Sequence, residues 1–217
     1  MISKFSMLED LSRQLRHRLV LPLPGTEAQY KMANAERRVN SSRIKIPDDH
    51  RKGAVLILLY EDENKVCFPL IMRPEYNGVH SGQIALPGGG FDPGDETLQN
   101  TALREAQEEI GIFKNDVVIL GALSPLYIPP SNFFVHPYIG MLTYRPHFVP
   151  DETEVAGIIE TDLESVMDES LVGEKIIKLS TGMEITTPFF NIQNQTVWGA
   201  TAMILSEVKS VLYEIGY

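Results

Sequence analysis

The stretch GGGFDPGDETLQNTALREAQEEIGI, Gly88–Ile112, decides the fold. Thr97 can cap a helix that starts at Leu98, because its side-chain oxygen can accept an otherwise unpaired amide of the first turn. Gly111 can end that helix in a left-handed conformation. Between them Leu98, Ala102, Leu103, Ala106 and Ile110 form one apolar arc at helical spacing. The small Ala102 and Ala106 let the helix approach a sheet closely. Glu105, Glu108 and Glu109 are related by three and four residues, so they stand together beside the arc. Like charges at this spacing repel, and Glu108 and Glu109 lie where the helix dipole disfavours acids. Local stability opposes the arrangement, as expected where function constrains sequence.

A hard divalent cation would remove the conflict, since Mg²⁺ takes carboxylate, water and phosphate oxygens. A solvated acidic helix face is the alternative. Arg104 can pair with Glu96 before the helix or with Glu108 one turn on; an exposed ion pair would contribute little. Gly88, Gly89 and Gly90 allow backbone amides to approach a ligand, and Pro87 stiffens the entry. The loop lacks the GK[ST] ending of a P-loop and the dinucleotide-binding fingerprint.

Working outward, GAVLILLY (Gly53–Tyr60) is a continuous apolar run and reads as a buried strand, with EDENK as the turn and VCFPLIMR as the return. Pro69 in the return predicts an edge position or a bulge. VVILGALSPLYI and FFVHPYIGMLTY supply further strands around a turn at IPPSN. DETEVAGIIE leads into a short helix over Leu163–Met167, and EKIIKL is another strand. A closing helix over VWGATAMILSEVKSVLYEI has Ala202, Ile204, Leu205, Val208, Val211 and Leu212 near one face. Met7, Leu8, Leu11, Leu15 and Leu19 predict an N-terminal helix, stopped by Pro22, Pro24 and Gly25. Residues 26–50 are polar and weakly patterned; Arg37, Arg38, Arg43 and Lys45 give them positive character, either as a solvated arm or beside an anionic substrate. Strands with few, separated helices indicate a mixed α/β layer fold.

The chain has 217 residues and a net charge of -10, with 43% hydrophobic and 22% charged residues. That suits one well-formed core and argues against a nucleic-acid surface, which needs clustered Lys and Arg. An acidic chain that takes an acidic substrate needs local cations or metal ions to reverse the field. The single cysteine, Cys67, excludes an intrachain disulfide and a cysteine-based zinc site, and reads as an apolar filler. No uncharged apolar run reaches membrane-spanning length, and the first residues lack the unbroken apolar core of a signal peptide. The cytoplasm is the default expectation, with no nucleic-acid or membrane partner; a homodimer stays open.

The spacing also resembles a known family. Gly90, Glu96 and REAQEEIGI (Arg104–Ile112) match the Nudix box at every fixed position. The resemblance covers roughly residues 50–212, leaving residues 1–49 as a helix and polar arm packing on a domain of residues 50–217. It implies an α/β/α sandwich with a mixed sheet and hydrolysis of a nucleoside diphosphate linked to another moiety, with Mg²⁺ or Mn²⁺. By the same resemblance Glu105, Glu108 and Glu109 are the metal ligands, Glu96 and Arg104 brace the site, and Gly90 and Gly111 shape its loops. LIMRPEYNGVHSGQIALPGG (Leu70–Gly89) is similar to the stretch that precedes the box in Nudix enzymes acting on coenzyme A. Arg73, His80, Gly82, Gln83, Pro87, Gly88 and Gly89 fall on it; Pro74 replaces the usual serine and Leu86 the usual phenylalanine. VWGATAMIL resembles another stretch common in that subfamily.

The implied products from coenzyme A are 4′-phosphopantetheine and 3′,5′-adenosine diphosphate. Arg73 could grip phosphate through its planar fork, His80 could contact phosphate or order the loop, and Gln83 offers an amide; each could also be structural. Arg37, Arg38 and Arg43 are further candidates for the several phosphates. In DETEVAG, Glu152 ranks first as an added metal ligand or base, against a solvated turn. Two other functions compete: a Nudix pyrophosphatase for ADP-ribose, dinucleotides or modified nucleotides, and a non-catalytic nucleotide-sensing module.

Overall fold

A computed structural model describes residues 6–40, 44–74, 82–179 and 182–217. Its centre is β1 (Arg51–Asp62), whose two faces explain its unbroken apolar sequence. Ala54, Leu56, Leu58 and Tyr60 point to one side and pack with Ala102, Ala106 and Ile110 of α4 (Leu98–Ile110). Ile57 and Leu59 point to the other and join a cluster with Leu11 and Leu15 of α1 (Met7–Leu19) and with Leu205 and Val208 of α6 (Gly199–Glu214). Successive strand residues face opposite sides, so a strand covered on both faces has no polar alternation. Helices on either side of one sheet make the α/β/α sandwich.

β1 pairs in parallel with β7 (Phe133–Met141), from Arg51 against Phe133 to Leu59 against Met141. Its other edge is shared antiparallel by β2 (Lys65–Met72) over Tyr60–Asp62 and by β4 (Gly88–Gly90) over Gly53–Val55. Beyond β2 come β3 (Ile84–Ala85) and β8 (Gly157–Asp162); beyond β7 come β5 (Val118–Ala122) and β6 (Leu126–Ile128). The sheet is therefore mixed. Pro69 pairs with β8 on one side and on the other falls in the gap between the β1 and β3 pairings, where a missing N–H costs no ladder bond.

Five strands were not anticipated: β3, the glycine segment β4, which read as a loop, and three more. β8 is one, its lead-in having read as an approach to the short helix α5 (Glu164–Met167). The others are β10 (Glu184–Ile192) and β11 (Gln195–Trp198), which form a separate meander with the expected β9 (Val172–Lys178). The β10–β11 turn uses Gln193 and Asn194 at φ 49° and 64°, so it carries none of the glycine that marks a tight hairpin in sequence.

Residues 26–50 are not a solvated arm, one of the two readings of that segment. α2 (Gly25–Gln29) and α3 (Ala35–Val39) form there, and Ala28, Gln29, Met32 and Ala33 are buried. Glu207 of α6 is fully buried and accepts from the Gly25 N–H at 2.9 Å, from Gln29 Nε2 at 2.9 Å and from the Ser124 N–H at 3.2 and 3.3 Å. The arm's polar atoms are thus satisfied by a partner far along the chain, which no local periodicity reports. Among the described residues, no helix is long and apolar enough to cross a membrane.

Candidate active site

β4 is built entirely of glycine, and at two of its positions the absent side chain has a use. Gly88 has φ 152°, and a Cβ there would sit 2.3 Å from the Ala54 carbonyl oxygen. A Cβ on Gly89 would lie 2.4–2.5 Å from the carboxylate of Glu105. The glycines therefore leave room for the neighbouring strand on one side and an acidic side chain on the other. Opposite them, Ala102 and Ala106 have no exposed surface, so α4 lies close on β1 and carries its acids over β4. Thr97 caps α4 by accepting from the Asn100 N–H at 3.2 Å, and Gly111 ends it at φ 73°, as expected.

Glu109 is 2% exposed, and its Oε2 accepts from the Gly88 N–H at 2.7 Å. Burial pushes its carboxyl up to about 7, opposed by the Gly88 amide and Arg73 and reinforced by Glu105 and Glu154. Burial also raises Glu105, against the pull of Arg104, with Glu108 and Glu154 adding to the rise. Glu105, Glu109, Glu154, Arg73 and Gln83 line one cavity of about 720 Å³. Its remaining wall is largely apolar and includes Met32, Phe133, Ile185 and Trp198. A second cavity is lined by Glu105 together with Asp95, Arg104, Glu108 and Lys114.

Arg104 organises the acidic face. Its Nη1 meets Glu108 Oε2 at 2.8 Å and its Nη2 meets Glu105 Oε1 at 2.9 Å and the Gly90 carbonyl at 3.1 Å. Its main partner before the helix is Asp95, at 2.7 Å from Nε and 3.0 Å from Nη2, in place of the expected Glu96. The reason lies in the turn Pro93–Asp95, which Asp92 caps. That turn aims the Asp95 carboxylate inward, where it also accepts from Thr101 Oγ1 at 2.8 Å, and leaves Glu96 exposed at φ 64°. Asp95 was missed, although Asp92-Pro93-Gly94-Asp95 carries the reciprocal spacing of a capping box.

The other expected residues divide clearly. Arg73, Gln83, Gly88, Gly89 and Arg37 all line the cavity. Gly82 is exposed at φ 64° and donates its N–H to the Pro74 carbonyl at 3.2 Å. Arg38 and Glu152 are exposed and outside the wall, which Glu154 enters instead. Asp151 is occupied in a turn, accepting from the Thr153 N–H and hydroxyl at 2.8 and 2.6 Å. His80 and Arg43 lie outside the described residues.

Among the described residues no three acidic, histidine or cysteine side chains converge on one coordination point. Arg104 draws Glu105 and Glu108, and the Gly88 amide holds Glu109. The donor chemistry still suits a hard cation: the acidic donors are all oxygens, and the cavity wall holds four carboxylates, Glu36, Glu105, Glu109 and Glu154, against Arg37 and Arg73.

Comparison with known proteins agrees with this geometry. A model of the NUDIX domain matches residues 50–175. The uncharacterized Nudix hydrolase NudL of Yersinia pestis (strain Pestoides F) is 35% identical over 161 residues, 72% of this chain and 77% of that protein. Among solved structures, the Nudix hydrolase RenU from M. smegmatis aligns with a TM-score of 0.51 at 17% identity, covering 77% of this chain and 89% of its own. The NUDIX domain of Shewanella oneidensis NrtR, complexed with ADP ribose, aligns with a TM-score of 0.51 at 14% identity, covering 83% and 99%. These two structures share the fold. The chain belongs to the Nudix hydrolase family, whose members generally use divalent metal ions.

Proposed function

We propose that the protein hydrolyses the diphosphate of coenzyme A, releasing 4′-phosphopantetheine and 3′,5′-adenosine diphosphate. One observation carries the reading: Arg73 and Gln83, from the stretch that resembles coenzyme A-hydrolysing relatives, open into the same cavity as Glu105 and Glu109. The largely apolar wall of that cavity suits a substrate with a weakly polar arm.

Glu105, Glu108 and Glu109 would hold Mg²⁺ or Mn²⁺, with Glu105 and Glu108 exchanging Arg104 for the cation. Bound there, the metal would neutralise the diphosphate oxygens and acidify the attacking water. Arg73 binds a phosphate oxygen, and Gly88 and Gly89 let the backbone approach the diphosphate. Water oxygen forms a bond to one phosphorus, the bridging P–O bond breaks, and the second phosphate leaves with the bond's electrons. Glu154 takes the role first given to Glu152, as an added metal ligand or as the acceptor of the water's proton.

The test is a panel of coenzyme A, ADP-ribose and NADH under one metal condition, with products identified by mass spectrometry. The two named products, with kcat/KM for coenzyme A about tenfold or more above ADP-ribose, support the reading. Equal or faster hydrolysis of ADP-ribose overturns it, and binding without turnover in both Mg²⁺ and Mn²⁺ makes the protein a sensor.

A further inference from the structure

The cavity holds a cation that the diphosphate chemistry leaves unused. Arg37, on α3, lines the cavity from the arm, outside the family-matched residues. Its Nη2 donates to the Tyr127 carbonyl, and its guanidinium carbon stands 5.6 Å from the centre of the Tyr30 ring. Its Nε is buried with no hydrogen-bond partner. Among the described residues, no carboxylate comes within ion-pair distance of it, neither Glu105, Glu109 and Glu154 nor the adjacent Glu36, which also lines the cavity. The other two arginines of the site are matched by acids: Arg104 by Asp95, Glu105 and Glu108, and Arg73 by the field of Glu109.

A guanidinium at a largely apolar cavity wall with no carboxylate partner is costly unless something anionic completes it. Its planar fork matches the paired oxygens of a phosphate. In the coenzyme A reading the diphosphate has other partners, Arg73 and the cation that Glu105, Glu108 and Glu109 would hold.

We propose that Arg37 is a specificity-determining residue that binds a phosphate monoester carried by the substrate in addition to the cleaved diphosphate. The proposal rests on the coenzyme A reading, since that substrate carries one such group on its ribose. It predicts that the enzyme reads the 3′-phosphate and discriminates against the same molecule without it.

Two measurements decide it. The first compares kcat/KM for coenzyme A and 3′-dephospho-coenzyme A in wild type, Arg37→Gln and Arg37→Lys. Wild type should favour coenzyme A about tenfold, mainly through KM. Arg37→Gln should erase the preference by weakening coenzyme A alone, and Arg37→Lys should keep part of it, as a charge without the fork. Equal losses on both substrates, the mark of a residue that merely ties the arm to Tyr127, overturn the proposal, as does an unchanged preference. The second is calorimetric binding of 3′,5′-adenosine diphosphate against 5′-adenosine monophosphate, which needs no turnover. Tighter binding of the bisphosphate by wild type, lost in Arg37→Gln, supports the proposal even if coenzyme A is not hydrolysed and the substrate reading falls. Equal affinities, or no binding of either nucleotide, overturn it. If Arg37→Gln fails to fold, the Arg37→Lys comparison decides on both measurements.

Discussion

Asp95 sets the acidic face from outside the apolar-walled cavity. Its two oxygens fix the Arg104 guanidinium, which then spans Glu105 and Glu108. Arg104, with help from the Asp92 amide and Thr101, holds the Asp95 carboxyl well below the ordinary carboxylate range. A carboxyl depressed on folding contributes stability that is present above its unfolded value, about 3.9, and is lost as pH falls through the folded value. Asp95→Asn should therefore cost about 2 kcal/mol at neutral pH. It should also flatten the decline in stability below about pH 4. Urea unfolding from pH 7 to pH 2 reads both, and a variant as acid-sensitive as wild type would remove Asp95 from this role. The sequence offered Glu96 for this partnership. Two acids one residue apart look alike to a spacing argument, and only the phase of the capped turn decides which of them faces Arg104.

Among elements, the glycine strand and α4 work as one part. Gly89→Ala should lower kcat about tenfold or more, because displacement of a reacting group by about 1 Å is that damaging. The new methyl would meet the end of the Glu105 side chain, 2.4–2.5 Å away, so the carboxylate must move while the backbone keeps its place. Thermal stability should fall little. Full activity would mean that Glu105 can work from another position, and a large loss of stability would mean that the strand itself had shifted. α4 was legible from end to end, because its cap, its apolar arc and its terminal glycine are all local signals. β10 and β11 were not, since their turn relies on Gln193 and Asn194 at positive φ and their pairing is seen only in three dimensions.

On the scale of the molecule, Glu207 fastens the arm, the loop after β5 and α6 to one another. Glu207→Ala would leave the Gly25 and Ser124 amides and the Gln29 side chain without their acceptor. Only the Gln29 bond is fully buried and the two amides are half-buried, so at about 1–3 kcal/mol for a buried donor left unpaired a loss of roughly 2 kcal/mol or more is expected in urea unfolding. A loss below about 1 kcal/mol would mean that water replaces the carboxylate and that the arm is held by apolar contact alone. This scale also marks where sequence reading stops. The acids, glycines and capping residues lie within one stretch of some two dozen residues and could be read together. The cavity wall could not: Met32, Ile185 and Trp198 carry no shared pattern and meet only because α6 and the meander fold back beside the arm.

That division of the wall bears on how such an enzyme diverges. The acidic helix and glycine strand lie within the stretch common to the family, whereas much of the wall comes from segments before and after it. Substitutions in those flanking segments can change which molecules fit without disturbing the groups that break the bond. Selection can then act on the two with little interference, and a lineage can exchange one substrate for another while inheriting its chemistry intact.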